Sequence, residues 1–428
     1  MSITILFVGL IVFLAHFLAA LFDKKKIPDV LLLVFLGLIF GPLLRIVTPE
    51  FFGGFGNVLT TITLIVILFQ GGLELNLSLL RDSLSSGLRL TAINFAATAL
   101  VVTAISIPVF KVSILEGLIL GSILGATSPA VVLPLIKKIA LKTYSRTALF
   151  LESTFSDVLC IVVTLGLLQA VKYHTLNPGL MCGQIIASFG LASVIGIGFA
   201  FFWSTILYKI RRLENSMFLT PAFVFVLYGV TEFLGYSGAI SSLAFGTTLG
   251  NISNFKSPSL NKFVLFRPVK FNRSENIFFA EVVFLLKTFF FIYIGLSIKM
   301  DNLQVILGCL ALTVIIFLVR IPVVHLAMGK EVNRFDISII SAMVPKGLAA
   351  ALLASLIIEA KVNNAMLIQD IIYSVILFSI VITALLTYLI EKNKMAQFYA
   401  LVFSKYKNEN ISTIIAAEHE KENIIQVN

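Results

Sequence analysis

Long apolar runs separated by short polar segments repeat along almost the whole chain. Most of the runs hold about 20 residues, the length that a helix needs to cross a hydrocarbon core about 30 Å thick. The pattern therefore predicts an all-α polytopic membrane protein with about thirteen transmembrane helices. The predicted spans are 2–22, 28–49, 55–75, 86–110, 114–136, 147–171, 183–208, 216–234, 237–250, 278–297, 303–328, 335–358 and 367–390.

One apolar stretch, residues 216–250, is compatible with one long span or with two spans joined by a turn. The positions of Lys and Arg decide, because cytoplasmic loops carry the excess of basic residues. With thirteen spans and the N-terminus outside, the cytoplasmic segments and the span ends beside them hold 24 Lys and Arg and the outer ones five, whereas merging the two spans gives 14 against 15. We therefore predict a transmembrane domain over 1–391 and a short cytoplasmic tail over 392–428.

Composition supports a membrane protein and explains its charge. Hydrophobic residues make up 58 % of the chain and charged residues 13 %, whereas soluble domains are about 25 % charged. Basic cytoplasmic loops that face anionic lipid account for the net charge of +10, so nucleic acid is not an expected partner. No cysteine spacing predicts a disulfide framework or a metal cluster. The plasma (inner) membrane of a prokaryote is the expected location.

The sixth predicted span, 147–171, places a carboxylate near the middle of the membrane. Ionisable groups at that depth are costly, so each one requires a partner or a function. Asp157 lies about eleven residues into the span, and the adjacent Ser156 offers a second oxygen ligand. Helical geometry separates Glu152 from Asp157 by about 140°. The two carboxylates are therefore not expected to share a proton, and Glu152 is expected to form a structural ion pair.

The fifth span contains a helix-breaking proline, Pro129. A proline removes a backbone donor and frees the carbonyl one turn earlier. Thr127 and Ser128 precede it and can hydrogen-bond into the gap or present oxygens to an ion. Transporters commonly build small cation sites from helices broken at mid-membrane, so this segment is predicted to contribute to a cation site.

The twelfth span carries Lys346 about ten residues deep, between Pro345 and Gly347. A buried lysine needs a carboxylate, and either Glu152 or Asp157 could supply it, so the sequence leaves this choice open. Arg320 lies nearer the cytoplasmic end of the eleventh span. It is expected to form an internal pair, with extension to the membrane interface as the alternative.

In combination these residues resemble the monovalent cation:proton antiporter superfamily. The resemblance implies inverted repeats with crossed broken helices, a dimerisation domain beside a core transport domain, and a homodimer. Ser156 departs from the Asn or Asp found in the family, and Lys346 departs from the Arg of the electroneutral branch, which leaves the stoichiometry open. The matching segments are Ile27–Val30 with Gly37–Pro42, Thr127–Pro129, Glu152–Asp157, Pro345–Gly347 and, more weakly, Phe289–Leu296.

The resemblance and the charge pattern predict a secondary active transporter, not an enzyme, that needs no cofactor. It is expected to exchange a monovalent cation, with Na⁺ favoured over Li⁺ or K⁺, for protons by alternating access. Cation and proton are predicted to compete for Asp157, with Ser156, Thr127 and Ser128 as further ligands. The alternatives are a K⁺/H⁺ antiporter, a channel-like efflux protein, an organic-anion symporter and an intramembrane enzyme. The last three fit less well, because nucleotide-binding, cationic-site and catalytic motifs are missing from the sequence.

Overall fold

A computed structural model of the chain describes residues 9–10, 12–17, 29–47, 55–74, 77–173, 178–210, 218–252, 273–299, 302–329 and 332–407. Helices dominate these ranges, and none of the described residues forms a strand. The predicted all-α class is therefore confirmed. The helices are α1 (Asp29–Leu38, continued by a π-helical turn at Ile39–Leu43), α2 (Phe55–Glu74), α3 (Leu77–Phe110), α4 (Ile114–Leu124), α5 (Pro129–Lys138), α6 (Thr143–Tyr173), α7 (Pro178–Ile210), α8 (Leu219–Phe233), α9 (Gly238–Gly250), α10 (Arg273–Ser297), α11 (Leu303–Ala327), α12 (Arg334–Ala342), α13 (Leu348–Glu359), α14 (Ala365–Glu391) and α15 (Ala396–Val402).

Seven segments of the described chain are long and apolar enough to cross a membrane, and four further apolar helices are shorter. The first predicted span, 2–22, lies mostly outside the described residues, although 12–17 are helical. The count of thirteen spans therefore stays a prediction. The seven segments are Ser85–Phe110, Ile114–Lys138, Thr143–Leu168, Gly190–Leu207, Ile277–Ser297, Leu303–Ala327 and Ala365–Glu391.

The ambiguous stretch 216–250 forms two separate helices, α8 and α9, as predicted. Gly235 lies between them with a φ of 84°, a conformation that side chains with a Cβ rarely adopt. Ser237 then caps α9 by accepting a hydrogen bond from the backbone N–H of Ile240 at 3.4 Å. The local turn chemistry and the distribution of basic residues therefore agree on two helices.

The chain divides into two compact units, and one of them comprises Phe52–Leu80 and Ile161–Phe290. In this unit α9 packs against α2, α7 and α8. The packing is close because small residues lie at the contacts: a Cβ added at Gly72 would lie 2.5 Å from the carbonyl oxygen of Leu243. The core is aromatic, with Phe69 in ring contact with Phe245 and Phe279 at centroid separations of 5.5 and 5.2 Å.

The other unit comprises Met1–Phe51, Arg81–Cys160 and Phe291–Asn428. It contains two interrupted helix pairs, α4 with α5 and α12 with α13. Helix α14 packs against α11, α12 and α13, and the short tail helix α15 packs against α12. Every residue that the sequence singled out for ion or proton binding lies in this unit, which therefore holds the candidate site.

Candidate ion-binding site

The two interrupted helix pairs meet at their breaks. Helix α4 ends at Leu124 and α5 begins at Pro129, while α12 ends at Ala342 and α13 begins at Leu348. The non-helical segments between them, 125–128 and 343–347, are hydrogen-bonded to each other, since the N–H of Ser128 donates to the carbonyl of Pro345 at 2.7 Å. The predicted crossed broken helices are therefore present, and we call the two segments together the crossing.

Proline and glycine residues explain why the chain breaks at the crossing. Pro129 occupies the first turn of α5, where a missing N–H costs nothing. Gly347 immediately precedes α13 and allows the segments to approach, because a Cβ added there would collide with the Ser128 hydroxyl and lie 2.6 Å from the Ser128 Cβ. The Ser128 hydroxyl itself is buried and has no hydrogen-bond partner among the described residues.

A buried ion pair lies beside the crossing. The guanidinium of Arg320 donates to both carboxylate oxygens of Glu152, at 2.5 and 2.6 Å, and both side chains are fully buried. Arg320 Nε also donates to the carbonyl of Ile340 at 3.2 Å, and the Thr127 hydroxyl donates to Glu152 at 3.3 Å. Arg320 therefore points inward, and the pair ties α6 and α11 to the α4–α5 break.

Among the described residues, no carboxylate hydrogen-bonds to Lys346. Its Nζ donates to the carbonyl of Ala126 at 2.9 Å, and its backbone N–H donates to Ser379 Oγ at 2.9 Å. The side chain is 1 % exposed. Its charge still interacts with those of Glu152 and Asp157, but Glu152 is already bound to Arg320. The sequence anticipated a carboxylate partner, and the freed carbonyl of a broken helix occupies that position instead.

Asp157 is the other buried carboxylate of α6, beside Glu152. It is 3 % exposed, within the long helix α6. Its oxygens accept no hydrogen bond from any described residue, and its charge faces Lys346. An ionised carboxylate buried without hydrogen bonds is costly, so the group requires a proton or a cation as its companion.

Ser156, which precedes Asp157 in α6, is hydrogen-bonded to the crossing. Its Oγ accepts the N–H of Thr127 at 2.9 Å and lies 3.3 Å from the carbonyl of Ser153. The hydroxyl thus holds the α4–α5 break in place, and it can ligate an ion only while it shares that hydrogen bond. Ser156, Thr127 and Glu152 are brought together in one network.

Two contacts, one at the crossing and one beside it, come from residues that were not predicted from the sequence. Ser379 of α14 accepts the backbone N–H of Lys346, and Cys160 Sγ donates to the carbonyl of Ile123 at 3.3 Å near the end of α4. A signal for Ser379 is present in the sequence as a stripe of polar residues in an apolar span, and no comparable signal marks Cys160. The buried polar residues of that stripe are Ser374, Ser379, Thr383 and Thr387.

Known proteins share this architecture. Two structures of the sodium proton antiporter MjNhaP1 from Methanocaldococcus jannaschii superimpose on the chain. One, determined at pH 8, has a TM-score of 0.73 at 24 % identity and covers 90 % of this chain and 99 % of its own. The other has a TM-score of 0.71 at 25 % identity and covers 96 % and 100 %. The fold is therefore that of a solved antiporter.

Sequence comparisons identify the family. Na(+)/H(+) antiporter 1 of Methanocaldococcus jannaschii is 28 % identical over 81 % of this chain and 82 % of its own length. The K(+)/H(+) antiporter NhaP2 of Shewanella oneidensis is 26 % identical over 45 % of this chain and 34 % of its own length. The family model described as "Sodium/hydrogen exchanger, transmembrane" matches residues 9–389. The chain therefore belongs to the sodium/hydrogen exchanger family, whose members are multi-pass secondary active transporters that exchange Na⁺ for H⁺.

Proposed function

We propose that the exchange of Na⁺ for H⁺ takes place at Asp157, which binds either a proton or a partly dehydrated cation. The observation that supports this assignment is a buried carboxylate without a hydrogen bond from any described residue, in the same unit as the crossing. Glu152 is a poorer candidate because Arg320 occupies both of its oxygens. Hard cations favour oxygen ligands, so Asp157 can hold Na⁺ once further oxygens complete the shell.

Further ligands come from the crossing. The Ser128 hydroxyl is buried and has no partner in the described structure, which makes it available to an ion. Thr127 and Ser156 contribute their hydroxyls only by sharing existing hydrogen bonds, and carbonyls of residues 125–128 are further oxygen ligands for the cation. In this arrangement the cation replaces the proton of Asp157, and the crossing adjusts without breaking the Glu152–Arg320 pair.

Na⁺ movement is coupled to proton movement because moving an empty, charged site through the membrane is costly. An unloaded Asp157 would carry a bare negative charge through a low-dielectric region, whereas a protonated or Na⁺-loaded carboxylate is neutral. Only the two loaded forms cross readily in the alternating-access step. Each inward movement of one ion is therefore matched by an outward movement of the other.

Competition between the ions at one site is directly testable. In proteoliposomes with a pH-sensitive dye, the KM for Na⁺ should rise in proportion to the proton concentration as the pH is lowered, while the maximal rate stays constant. This result is expected because a proton and Na⁺ exclude each other at one carboxylate. A constant KM combined with a falling maximal rate would show that the two ions bind at separate groups.

Lys346 determines whether the exchange is electrically neutral. A carboxylate that swaps one Na⁺ for one proton moves no net charge. A desolvated Lys can also release a proton, which Arg effectively cannot. The Lys346 ammonium donates to a neutral carbonyl, that of Ala126, and to no carboxylate of the described residues. We propose one-for-one exchange, in which Lys346 keeps its proton when Na⁺ binds. In the alternative two-proton scheme, Na⁺ binding releases the proton of Lys346 as well. If the Na⁺-driven pH signal is independent of an imposed membrane potential, the two-proton scheme is excluded; a potential dependence lost in Lys346→Arg would establish it.

K⁺ is the second candidate substrate, because part of the chain is similar to a K(+)/H(+) antiporter. We propose Na⁺ as the main ion, since the relative that matches over most of the chain is a Na(+)/H(+) antiporter. Dye dequenching with Na⁺, Li⁺ and K⁺ in turn discriminates between them. A larger response to K⁺ than to Na⁺ at equal concentration would reverse the assignment.

Orientation and assembly are proposed from charge and family. The end of α5, the loop after it and the first turn of α6 carry Lys137, Lys138, Lys142 and Arg146. Because cytoplasmic segments are basic, we place that end of the unit and the C-terminal tail in the cytoplasm of a plasma-membrane protein. A C-terminal reporter that matures only in the cytoplasm should be active.

We also propose a homodimer, and light scattering of the purified protein should return twice the chain mass.

A further inference from the structure

The tail helix α15 follows directly after a helix that is long and apolar enough to cross the membrane. That helix, α14, ends at Glu391, and a turn with Asn393 at a φ of 54° comes next. The N–H of Lys394 closes the helix end by donating to the carbonyl of Leu389 at 3.0 Å. Helix α14 has 27 residues and is about 40 Å long, enough to span the hydrocarbon core and both headgroup layers. Helix α15 therefore begins at the membrane surface.

One face of α15 packs against the ends of α11 and α12. Phe403, just after α15, is fully buried, and its ring lies 4.7 Å from that of His325 on α11. His325 Nε2 donates to the carbonyl of Val402 at 3.1 Å. The Tyr399 hydroxyl is hydrogen-bonded to Ser341 in the last turn of α12. Because Ser341 precedes the crossing by only two positions, this face of α15 contacts the helix that leads into the crossing.

The opposite face of α15 is apolar and exposed. Leu401 is 81 % exposed and Phe398 is 45 % exposed. The two residues lie one turn apart on the same side of the helix. Apolar side chains on a spanning helix are covered by lipid tails, but α15 lies beyond such a helix, in the polar tail. A leucine and a phenylalanine exposed side by side at the membrane surface are typical of a helix that lies in the interface.

Lysines lie on both sides of α15 along the chain. Lys392 and Lys394 precede it, Lys405 and Lys407 follow it, and all four are exposed. None of the four forms an ion pair within the part of the chain that the structure describes. The backbone carbonyl of Lys407 accepts the N–H of Arg334 at 2.8 Å, which holds the second pair beside α12. Lysine stems can extend along an apolar surface and place their ammonium groups among lipid phosphates.

We propose that α15 is a membrane-surface helix whose outer face binds anionic lipid, and that this binding holds its inner face on α12 beside the crossing. Phe398 and Leu401 enter the boundary between headgroups and acyl chains, and the four lysines bind lipid phosphates. An anionic lipid is favoured over a zwitterionic one, because each lysine near an anionic surface strengthens binding roughly fivefold. The effect on exchange rests on the proposed function, whereas the lipid contact itself does not.

The lipid contact is tested by tryptophan fluorescence of the full chain in vesicles. Leu401→Trp adds an emitter, and Trp203, the only tryptophan of the wild type, gives a constant background because it is buried and stacked on Phe223. Lipids brominated on their acyl chains should quench about half of the added emission, because an interfacial side chain reaches the acyl boundary. Quenching no greater than in wild type would overturn the proposal, since water, the segment 408–428 or a second copy of the chain would then cover this face.

The effect on exchange is tested by Na⁺-driven proton flux in vesicles of phosphatidylcholine, with and without phosphatidylglycerol as a third of the lipid. Wild type should be about threefold faster with the anionic lipid, and Lys405→Gln/Lys407→Gln should lose most of that gain. The control Lys111→Gln/Lys361→Gln removes two exposed lysines from other loops and should keep the gain. Tyr399→Phe, which removes only the hydroxyl, should also lose the gain while Leu401→Trp in the same chain is still quenched.

The outcomes separate this proposal from the exchange mechanism. Equal flux in both vesicles for wild type would overturn the link between lipid and α12. Loss of the gain in both double variants would trace the effect to overall charge and would equally overturn it. A chain without flux in either vesicle would count against the proposed exchange instead, and the quenching of Leu401→Trp would still decide whether α15 binds lipid.

Discussion

The buried Glu152–Arg320 pair provides the sharpest stability prediction. Both side chains are fully buried and joined by two short hydrogen bonds. Among the described residues, replacing Arg320 by Met leaves the carboxylate of Glu152 with one hydrogen-bond donor, the Thr127 hydroxyl at 3.3 Å. Replacing Glu152 by Leu leaves the guanidinium with one acceptor in the same part of the chain, the carbonyl of Ile340 at 3.2 Å. Each single variant therefore keeps a buried charge without its counter-charge.

The expected magnitudes follow from that imbalance. Removing one partner of a buried ion pair costs about 3–5 kcal/mol of the free energy of unfolding. Glu152→Leu also deprives the Thr127 hydroxyl of its acceptor, which adds about 1 kcal/mol. The double variant removes both charges, and apolar replacements of a buried pair are often neutral or stabilising. We therefore expect the double variant to be more stable than either single variant.

Thermal unfolding in detergent, followed with a thiol-reactive fluorescent dye, measures this directly because Cys160 and Cys309 are buried. Each single variant should lower the Tm by roughly 3–6 °C, and the double variant should recover most of that loss. A Tm of Arg320→Met equal to that of wild type would refute the reasoning. So would a double variant whose loss equals the sum of the two single losses, since the charges would then not be coupled.

Two further pairs of variants test the close packing. Gly347→Ala should reduce exchange about a hundredfold by displacing the crossing, since the new Cβ would lie 2.6 Å from that of Ser128. Its control, Gly229→Ala, lies on an open helix face and should keep full flux. Phe403→Ala should lower the free energy of unfolding by about 3–5 kcal/mol, because this tail residue is fully buried. Its control, Phe398→Ala, should be close to neutral in the same thermal assay, because Phe398 is 45 % exposed. Equal effects within either pair would contradict the described packing.

The break at Pro129 could be predicted from the sequence because its cause is local: a proline removes a backbone donor. The second break, before Gly347, was expected only from the family resemblance, and the sequence pattern predicted one continuous span over 335–358. The free-energy cost of burying a charge is equally general, so the sequence predicts an ion pair for Glu152 without identifying its partner. Asp157 stood out for the same reason. These inferences depend on single residues and on the membrane, and not on how the helices pack.

The partners at the crossing could not be predicted, because they depend on which helices meet. Lys346 was expected to bind a carboxylate, but Arg320 binds Glu152 with two parallel hydrogen bonds, an arrangement that a lysine cannot match. The carbonyl of Ala126 is freed by the break and lies where the ammonium can reach it. Ser156 looked like an ion ligand by adjacency to Asp157, but its hydroxyl reaches the backbone of Thr127, which is distant in sequence.

The most direct test of the account is Na⁺-driven proton flux in proteoliposomes containing Asp157→Asn. Glu116→Gln is the control, because Glu116 is a buried carboxyl whose oxygens accept hydrogen bonds from the Ser113 N–H and the Asn364 amide. The account predicts that Asp157→Asn abolishes flux while its Tm stays at or above that of wild type, because a neutral amide replaces a buried carboxyl without hydrogen bonds from the described residues. Glu116→Gln should retain flux. Flux like that of wild type in Asp157→Asn would contradict the central claim and remove this carboxylate from the mechanism.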